Sequence, residues 1–365
     1  MTDLRLICVA GARPNFMKVA PLIRALAESP FRATLVHTGQ HYDDAMSGQF
    51  FRDLAIPQPD YFMGVGSGSH AQQTAAILTG FEPIVQEVKP AGVVVVGDVN
   101  STAACALVAA KLNVPVIHVE AGLRSFDRGM PEEINRLVTD SISDLLLVTE
   151  ESGRRNLEAE GVPEKRMRVV GNLMIDSLRF HIDRAASSTV LERLQVPERY
   201  GTVTLHRPAN VDDPARFLEI LSALKTISEE LPLYFPVHPR TRGIVESAGL
   251  AEAGGIRLIE PQGYLDFLRL MSRSALVLTD SGGIQEETTA LGIPCLTLRE
   301  NTERPITIEL GTNRLAGVTK DGILRAWKME KAEPKQGKIP PLWDGHAAGR
   351  CVNALREFYA GRPTG

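Results

Sequence analysis

The chain has 365 residues, enough for two domains of ordinary size, and 44% of them are hydrophobic. Lys and Arg number 40 against 44 Asp and Glu, a net charge of −4, so nothing in the balance points to nucleic acid or a membrane surface as partner. Cys8, Cys105, Cys295 and Cys351 form no CxxC pair and read as buried thiols in a reducing compartment. The start MTDLRLICVAGARP carries an early acid and an apolar run too short for a secretory leader or a span, so the reading is cytoplasmic.

In chain order, Leu4–Ala10 is an apolar run and predicts a buried strand. GARPNFMK follows, and Pro14 suits the first turn of a helix running through Val19, Leu22, Ile23 and Leu26. Arg13 therefore sits in a strand-to-helix turn. Thr34–His37 is the next strand, followed by TGQHYD, and Gly64–Ser69 is a flexible loop. Ala71–Val88 reads as a long helix, Gly92–Val96 as a strand buried on both faces, and Gly97-Asp98 as its end. Ser101–Leu112 is helical, Val114–Val119 is a strand ending at Glu120, and Pro131-Glu132-Glu133 starts a helix. Leu145–Val148 and Arg168–Val170 are further strands.

Gly171-Asn172 marks a change, followed by a mostly helical bridge over Asp176–Leu194. A second alternation of strand and helix then runs through Thr202–Leu205, Leu233–Val237, Ile256–Ile259, Leu276–Leu278 and Cys295–Leu298. A helix over Ala347–Tyr359 follows Pro340-Pro341. Alternation of this kind predicts an α/β chain of two doubly wound, Rossmann-like parallel-sheet domains facing across a cleft. The expected division is residues 1–171, completed by a C-terminal helix at about 350–365, and residues 172–349.

The stretch LVLTDSGGIQEETTALG, Leu276–Gly292, joins a strand to a helix through Ser281, Gly282 and Gly283. Free N–H groups and the positive end of the helix dipole suit a phosphate there, and paired glycines let an anion reach the backbone. Glu287, one turn in, is placed to accept from ribose hydroxyls. Ligands of such sheets bind beyond the carboxyl ends of the strands. Those ends carry Arg13, Gln40-His41, Asp98 and Glu120 in one half, with Glu132 on a helix start. The other half offers His206-Arg207, His238, Gln262 and the Asp280–Gly283 turn. Asp98 also has an ordinary reading as N-cap of the helix at Ser101, and Pro-Glu-Glu is a common helix start. No HxxxH or HExxH spacing points to a metal, and the first turn lacks the GxGxxG of a nicotinamide site.

GARPNFMK, TGQH, GDVNST, HVEAGLRS, PEEINR, HRPAN, DSGGIQEE and RENTERP occur in that order. Together they resemble the non-hydrolysing bacterial UDP-N-acetylglucosamine 2-epimerases, from Gly11 to about Thr312. The resemblance implies the GT-B architecture, with a C-terminal helix returning to the first domain. It implies cofactor-independent inversion at C2 of a UDP-N-acetylhexosamine, through elimination of UDP to 2-acetamidoglucal and re-addition, in a homodimer. It assigns Asp98, Glu120, Glu132 and His206 to catalysis. Arg13, Lys18, Arg207, His238, Gln262, Phe267, Ser281, Gly282, Gly283, Glu287 and Arg304 are assigned to the UDP-sugar. Asp98 and Glu120 end neighbouring strands, so they are expected to approach each other and split their pKa values.

Some positions depart from the family pattern. Asn15 stands where an acid is frequent, Ala209 where Glu is frequent, and Ile306 follows TERP. The Gln-His loop continues as Tyr42-Asp43-Asp44, unlike the form in which a second substrate molecule binds as activator. The alternatives are a C2 epimerase of a UDP-diacetamido uronic acid, a UDP-sugar glycosyltransferase of the same fold, and a non-catalytic UDP-sugar sensor.

Overall fold

The computed structural model describes residues 4–39, 54, 56–237, 242–245 and 254–361. The first sheet is built from β1 (Leu4–Ala10), β2 (Phe31–His37), β3 (Tyr61–Phe62), β4 (Gly92–Val96), β5 (Val116–Ala121), β6 (Leu145–Val148) and β7 (Met167–Val169). Their order is β3-β2-β1-β4-β5-β6-β7, and every pairing is parallel. All five residues of β4 are buried, as helices on both faces require. Those helices are α1 (Arg13–Ala27), α2 (His70–Val88), α3 (Asn100–Lys111), α4 (Pro131–Ile142), α5 (Glu151–Ala159) and α6 (Leu173–Ala186).

After the short α7 (Val190–Arg193), the second sheet comprises β8 (Gly201–Thr204), β9 (Leu233–Pro236), β10 (Ile256–Ile259), β11 (Leu276–Thr279), β12 (Cys295–Thr297) and β13 (Asn313–Leu315). The order is β10-β9-β8-β11-β12-β13, again parallel throughout. Its helices are α8 (Pro208–Val211), α9 (Pro214–Ser228), α10 (Tyr264–Ser272), α11 (Gly282–Leu291), α12 (Pro305–Glu309) and α13 (Lys320–Ala332). Phe217, Leu221 and Leu224 of α9 join Leu278, Leu296 and Trp327 in one core.

The chain forms two compact units, Met1–Arg179 with Pro341–Gly365, and Phe180–Pro340. The last helix, α14 (Ala347–Ala360), packs on α1 in the first unit. Four bonds help to fix it there. The buried Asp176 carboxylate accepts from the amides of Ala347 (3.0 Å) and Ala348 (2.7 Å), capping the helix. Arg350 Nε donates to the Val170 carbonyl at 2.6 Å, and Tyr359 Oη to that of Ala91 at 3.0 Å.

Several elements differ from expectation. β2 begins at Phe31, before the expected Thr34, and β5 runs from Val116 to Ala121, two residues later than expected. β3 and β13, of two and three residues, and the helices α9 and α13 extend the expected pattern. The bridge after Gly171 begins as the continuous helix α6. Gly171 itself lies inside the first unit with φ +90°, and a Cβ on it would stand 2.3 Å from the Leu342 carbonyl.

The cap on α14 yields a test. Asp176→Ala removes two charge-assisted bonds at a helix start and should lower the stability of the first unit by about 2 kcal/mol. Urea unfolding followed by circular dichroism measures it, and a midpoint equal to the parent's would show the cap to be idle.

Candidate active site

In a doubly wound sheet the ligand crevice opens where the strand order reverses. That reversal lies between β1 and β4 in the first unit and between β8 and β11 in the second.

In the first unit the turn after β1 is tied to the end of β4 by Asn15. Its Oδ1 accepts from the amides of Gly11 (3.3 Å) and Ala12 (3.0 Å), and its Nδ2 donates to the Val96 carbonyl at 2.9 Å. Gly11 has no room for a side chain, since a Cβ would lie 2.3 Å from Ser101 Oγ. Lys18, buried on α1, donates to Glu120 Oε2. Glu120 sits at a register shift of β5 against β6 and has φ +73°, a region that non-glycine residues enter only when the surroundings hold them there. The bare Cα of Gly97 faces this group. A Cβ there would meet Asn15 Nδ2 at 3.0 Å, Glu120 Oε2 at 3.3 Å and Lys18 Nζ at 3.6 Å.

Asp98 follows Gly97 and accepts from Arg136 Nη1 at 2.5 Å. It is not the cap of α3, whose N-cap residue is Val99. Arg136 is itself buried and gripped by Glu133, through Nε at 3.1 Å and Nη2 at 2.7 Å. Burial would raise the Glu133 pKa, but the Ser125 amide and the Arg136 guanidinium outweigh it and hold it below the ordinary value. Glu120 thus faces Lys18, while Asp98 faces Arg136, a cation it shares with Glu133. Glu132 lies half-buried in the first turn of α4, beside Glu133.

In the second unit Asp280, fully buried just past β11, is the centre. Its carboxylate accepts from the amides of His206 (3.2 Å) and Arg207 (3.0 Å), from Asn210 Nδ2 (3.1 Å) and from His206 Nδ1 (3.0 Å). Burial pushes its pKa up, but these donors, His206 foremost, bring it below the usual range. The His206 ring is 62% exposed, and an Nδ1–H held by Asp280 leaves Nε2 as the basic nitrogen. Arg207 Nε donates to the Asp280 carbonyl at 3.0 Å.

Beside this turn lies a buried cluster of charges. Arg304 donates to Glu286 (2.7 Å) and Glu303 (2.5 Å), and Arg299 donates to Glu303 (2.8 Å). Ser281 is the N-cap residue of α11, and Gly282 must be bare, since a Cβ would stand 2.5 Å from Arg304 Nη1. Gly283 continues the same first turn. One turn further, buried Glu287 accepts from Tyr264 Oη at 3.1 Å. Gln262 accepts from Arg193 at 2.8 Å, and Phe267 lies half-buried on α10. Among the expected ligands, His238 and the side chain of Arg13 lie outside the described residues, as do Gln40, His41, Tyr42, Asp43 and Asp44. Lys18, expected as a phosphate cation, is engaged with Glu120. The parts missed from sequence are the supports Glu133, Arg136, Arg299 and Glu303, together with the supporting bonds that Asn15 and Asp280 make. Arg136, Arg299 and Glu303 lay in motifs already marked, PEEINR and RENTERP, where only neighbours had been singled out.

Residues 24–356 match the family model described as UDP-N-acetylglucosamine 2-epimerase. The chain belongs to this family. The UDP-N-acetylglucosamine 2-epimerase of Methanocaldococcus jannaschii is 40% identical over 362 residues, 96% of this chain and 99% of that one. The solved structure of a M. jannaschii UDP-GlcNAc 2-epimerase with UDP-GlcNAc and UDP has a TM-score of 0.90 and covers 97% of this chain and 100% of that one. A UDP-2,3-diacetamido-2,3-dideoxy-D-glucuronate 2-epimerase of Pseudomonas aeruginosa is also 40% identical, over 97% of this chain and 100% of the relative. A UDP-glucosyltransferase from Polygonum tinctorium, 13% identical with a TM-score of 0.60, shares the two-sheet fold. Among the described residues of this epimerase-family chain, no group of three or more His, Cys, Asp or Glu could hold a metal ion.

The burial of Glu287 gives a signature in this family member. Burial raises its pKa from 4.5 to about 7, the Tyr264 hydroxyl opposes this, and the adjacent Glu286 adds to it. The folded chain keeps a proton that the unfolded chain releases, so this stability is complete below the unfolded value and is lost as pH rises through about 7. Glu287→Gln should therefore gain on the parent at alkaline pH, by on the order of 1–3 kcal/mol. Unfolding curves across the pH range test this, and parallel curves for the two proteins would refute it.

Proposed function

We propose that this chain interconverts UDP-N-acetylglucosamine and UDP-N-acetylmannosamine by inverting C2 without a redox cofactor. UDP is eliminated to leave 2-acetamidoglucal and is then added back with the proton on the other face. The observation that carries the reading is the pairing of Lys18 with Glu120, on a backbone held at positive φ, at the switch point of the first sheet. Strained, buried, cation-paired carboxylates collect where proton transfer is done.

The roles follow from where charge develops. A carboxylate of the first unit, Asp98, Glu120 or Glu132, takes the C2 proton as the C1–O bond breaks, and another returns a proton to the opposite face. The departing diphosphate needs cations and N–H groups. Arg207, Arg304 and the Ser281-Gly282-Gly283 helix start supply these in the second unit, with Arg13 and His238 as further candidates. His206 Nε2 serves the leaving oxygen. Glu287 takes the ribose, and Gln262 and Phe267 take the uracil. Water must stay out, or UDP and the glycal are lost.

The Pseudomonas aeruginosa relative, equal in identity to the Methanocaldococcus jannaschii one, supports a second reading in which the sugar is a diacetamido uronic acid. Nuclear magnetic resonance assays over a panel of UDP-sugars separate the two. A cytoplasmic homodimer is the setting proposed, and four buried, unbridged cysteines support a reducing one.

In D2O both UDP-sugar epimers should gain deuterium at C2. Inversion with full retention of the C2 proton would sink the elimination. Asp98→Asn, Glu120→Gln and Glu132→Gln should each lower turnover by roughly 10²–10⁴-fold and leave UDP affinity in place. Arg304→Ala should weaken UDP binding by about 1.5–3 kcal/mol, read by calorimetry. An unchanged affinity would remove Arg304 from the site.

A further inference from the structure

One fully buried histidine joins the two turns that carry Asp98 and Glu120. His118 lies on β5 with no exposed surface. Its Nε2 is 2.8 Å from the Gly97 carbonyl oxygen, and its Nδ1 is 2.6 Å from Asp140 Oδ1. Asp140, on α4, is as deeply buried. Its Oδ2 accepts from the Gly122 amide at 3.1 Å and pairs with Arg124 at 2.7 Å. Arg124 in turn donates twice to Glu160, at 2.7 Å each.

A carbonyl oxygen only accepts, so Nε2 carries a hydrogen. A carboxylate met by a guanidinium and an amide only accepts, so Nδ1 carries one as well. We infer that His118 is a buried imidazolium whose two N–H groups pin the Gly97 carbonyl and Asp140, and that it is a positioning residue for Asp98 and Glu120. Gly97 directly precedes Asp98, and Gly122 stands two residues after Glu120. The His118–Asp140 pair thus sets both turns from one point and supplies part of the hold that a positive φ at Glu120 requires. Asp140 is suited to the ionised state: burial raises its pKa, but His118 and Arg124 outweigh that and keep it below the ordinary value. The charges facing the ring close on themselves. His118 and Arg124 are positive and Asp140 and Glu160 negative, so the chain of four is neutral and no lone charge is left dry.

The positioning role rests on the reading of Asp98 and Glu120 as proton-transfer groups, whereas the charge of the ring does not. Two experiments on the full chain keep them apart. In protein labelled with ¹⁵N-histidine, both ring nitrogens of His118 should resonate in the protonated range. One nitrogen in the unprotonated range would overturn the imidazolium. His118→Gln, and Asp140→Asn as a near-isosteric second variant, should lower kcat by about 10²-fold, the scale of a small misplacement of reacting groups. KM and UDP affinity should stay within about twofold, because the nucleotide groups lie in the second unit. A folded variant with the parental kcat, or a loss confined to KM, would overturn the positioning role. If the parent itself fails to exchange deuterium at C2, the proposed reaction falls while the ring's charge is still decided by the spectrum.

Discussion

A carboxylate taken out of water must be met by donors, and in each unit one such group ties down the turns beside the candidate site residues. Asp140 in the first unit and Asp280 in the second have at most 1% exposure. Leaving either without partners would cost several kcal/mol, more than a large share of the stability of an ordinary domain. The fold therefore has to bring donors to them, and it brings the backbone of the strand-end turns. Asp140 gathers the Gly122 amide and the His118 ring, and Asp280 gathers the amides of His206 and Arg207. A need for satisfaction thus becomes a fixed geometry for the residues next to those amides.

The same economy governs the side chains proposed for the chemistry. Lys18 against Glu120 is a near-neutral pair, and Arg136 is held between Asp98 and Glu133, each contact buried on at least one side. Buried pairs of this kind add little net stability but are expensive to break, so they hold position well. Glycines let the pairs close up. Gly97 lies bare against Asn15, Glu120 and Lys18, and Gly282 lies bare under Arg304. His206 differs in being anchored at one end and wet at the other, as suits a group that exchanges protons.

Much of this was legible in the sequence, and the unread part has a physical reason. Apolar runs such as GVVVV and LVLT fixed the buried strands, and the turns after them announced Asp98, Glu120 and the Ser-Gly-Gly helix start. Supports were invisible because their partners are remote in sequence. Asp140 meets His118 across 22 positions and Arg136 meets Asp98 across 38, and no periodicity records that. Asp140 reads as an ordinary polar residue near a helix end. β5 lies two residues later than its apolar run suggests because its continuation past Glu120 depends on a register shift that β6 imposes. β3 and β13 are too short to announce themselves and exist because a neighbouring strand offers an edge.

Asn15 shows how a departure from the family pattern fits the same logic. Its amide is used at both ends, accepting from Gly11 and Ala12 and donating to the Val96 carbonyl. An ionised acid in this place could keep the first two bonds but would set its second oxygen against that carbonyl. It would also add a negative charge near Glu120, where Lys18 is the paired cation. The neutral amide leaves the Lys18–Glu120 pair without that added charge. A family member with an acid here must place that side chain differently or bring a further cation to the turn. The residue after Arg13-Pro14 therefore helps set how much charge Glu120 feels, and it does so from the backbone side of the site.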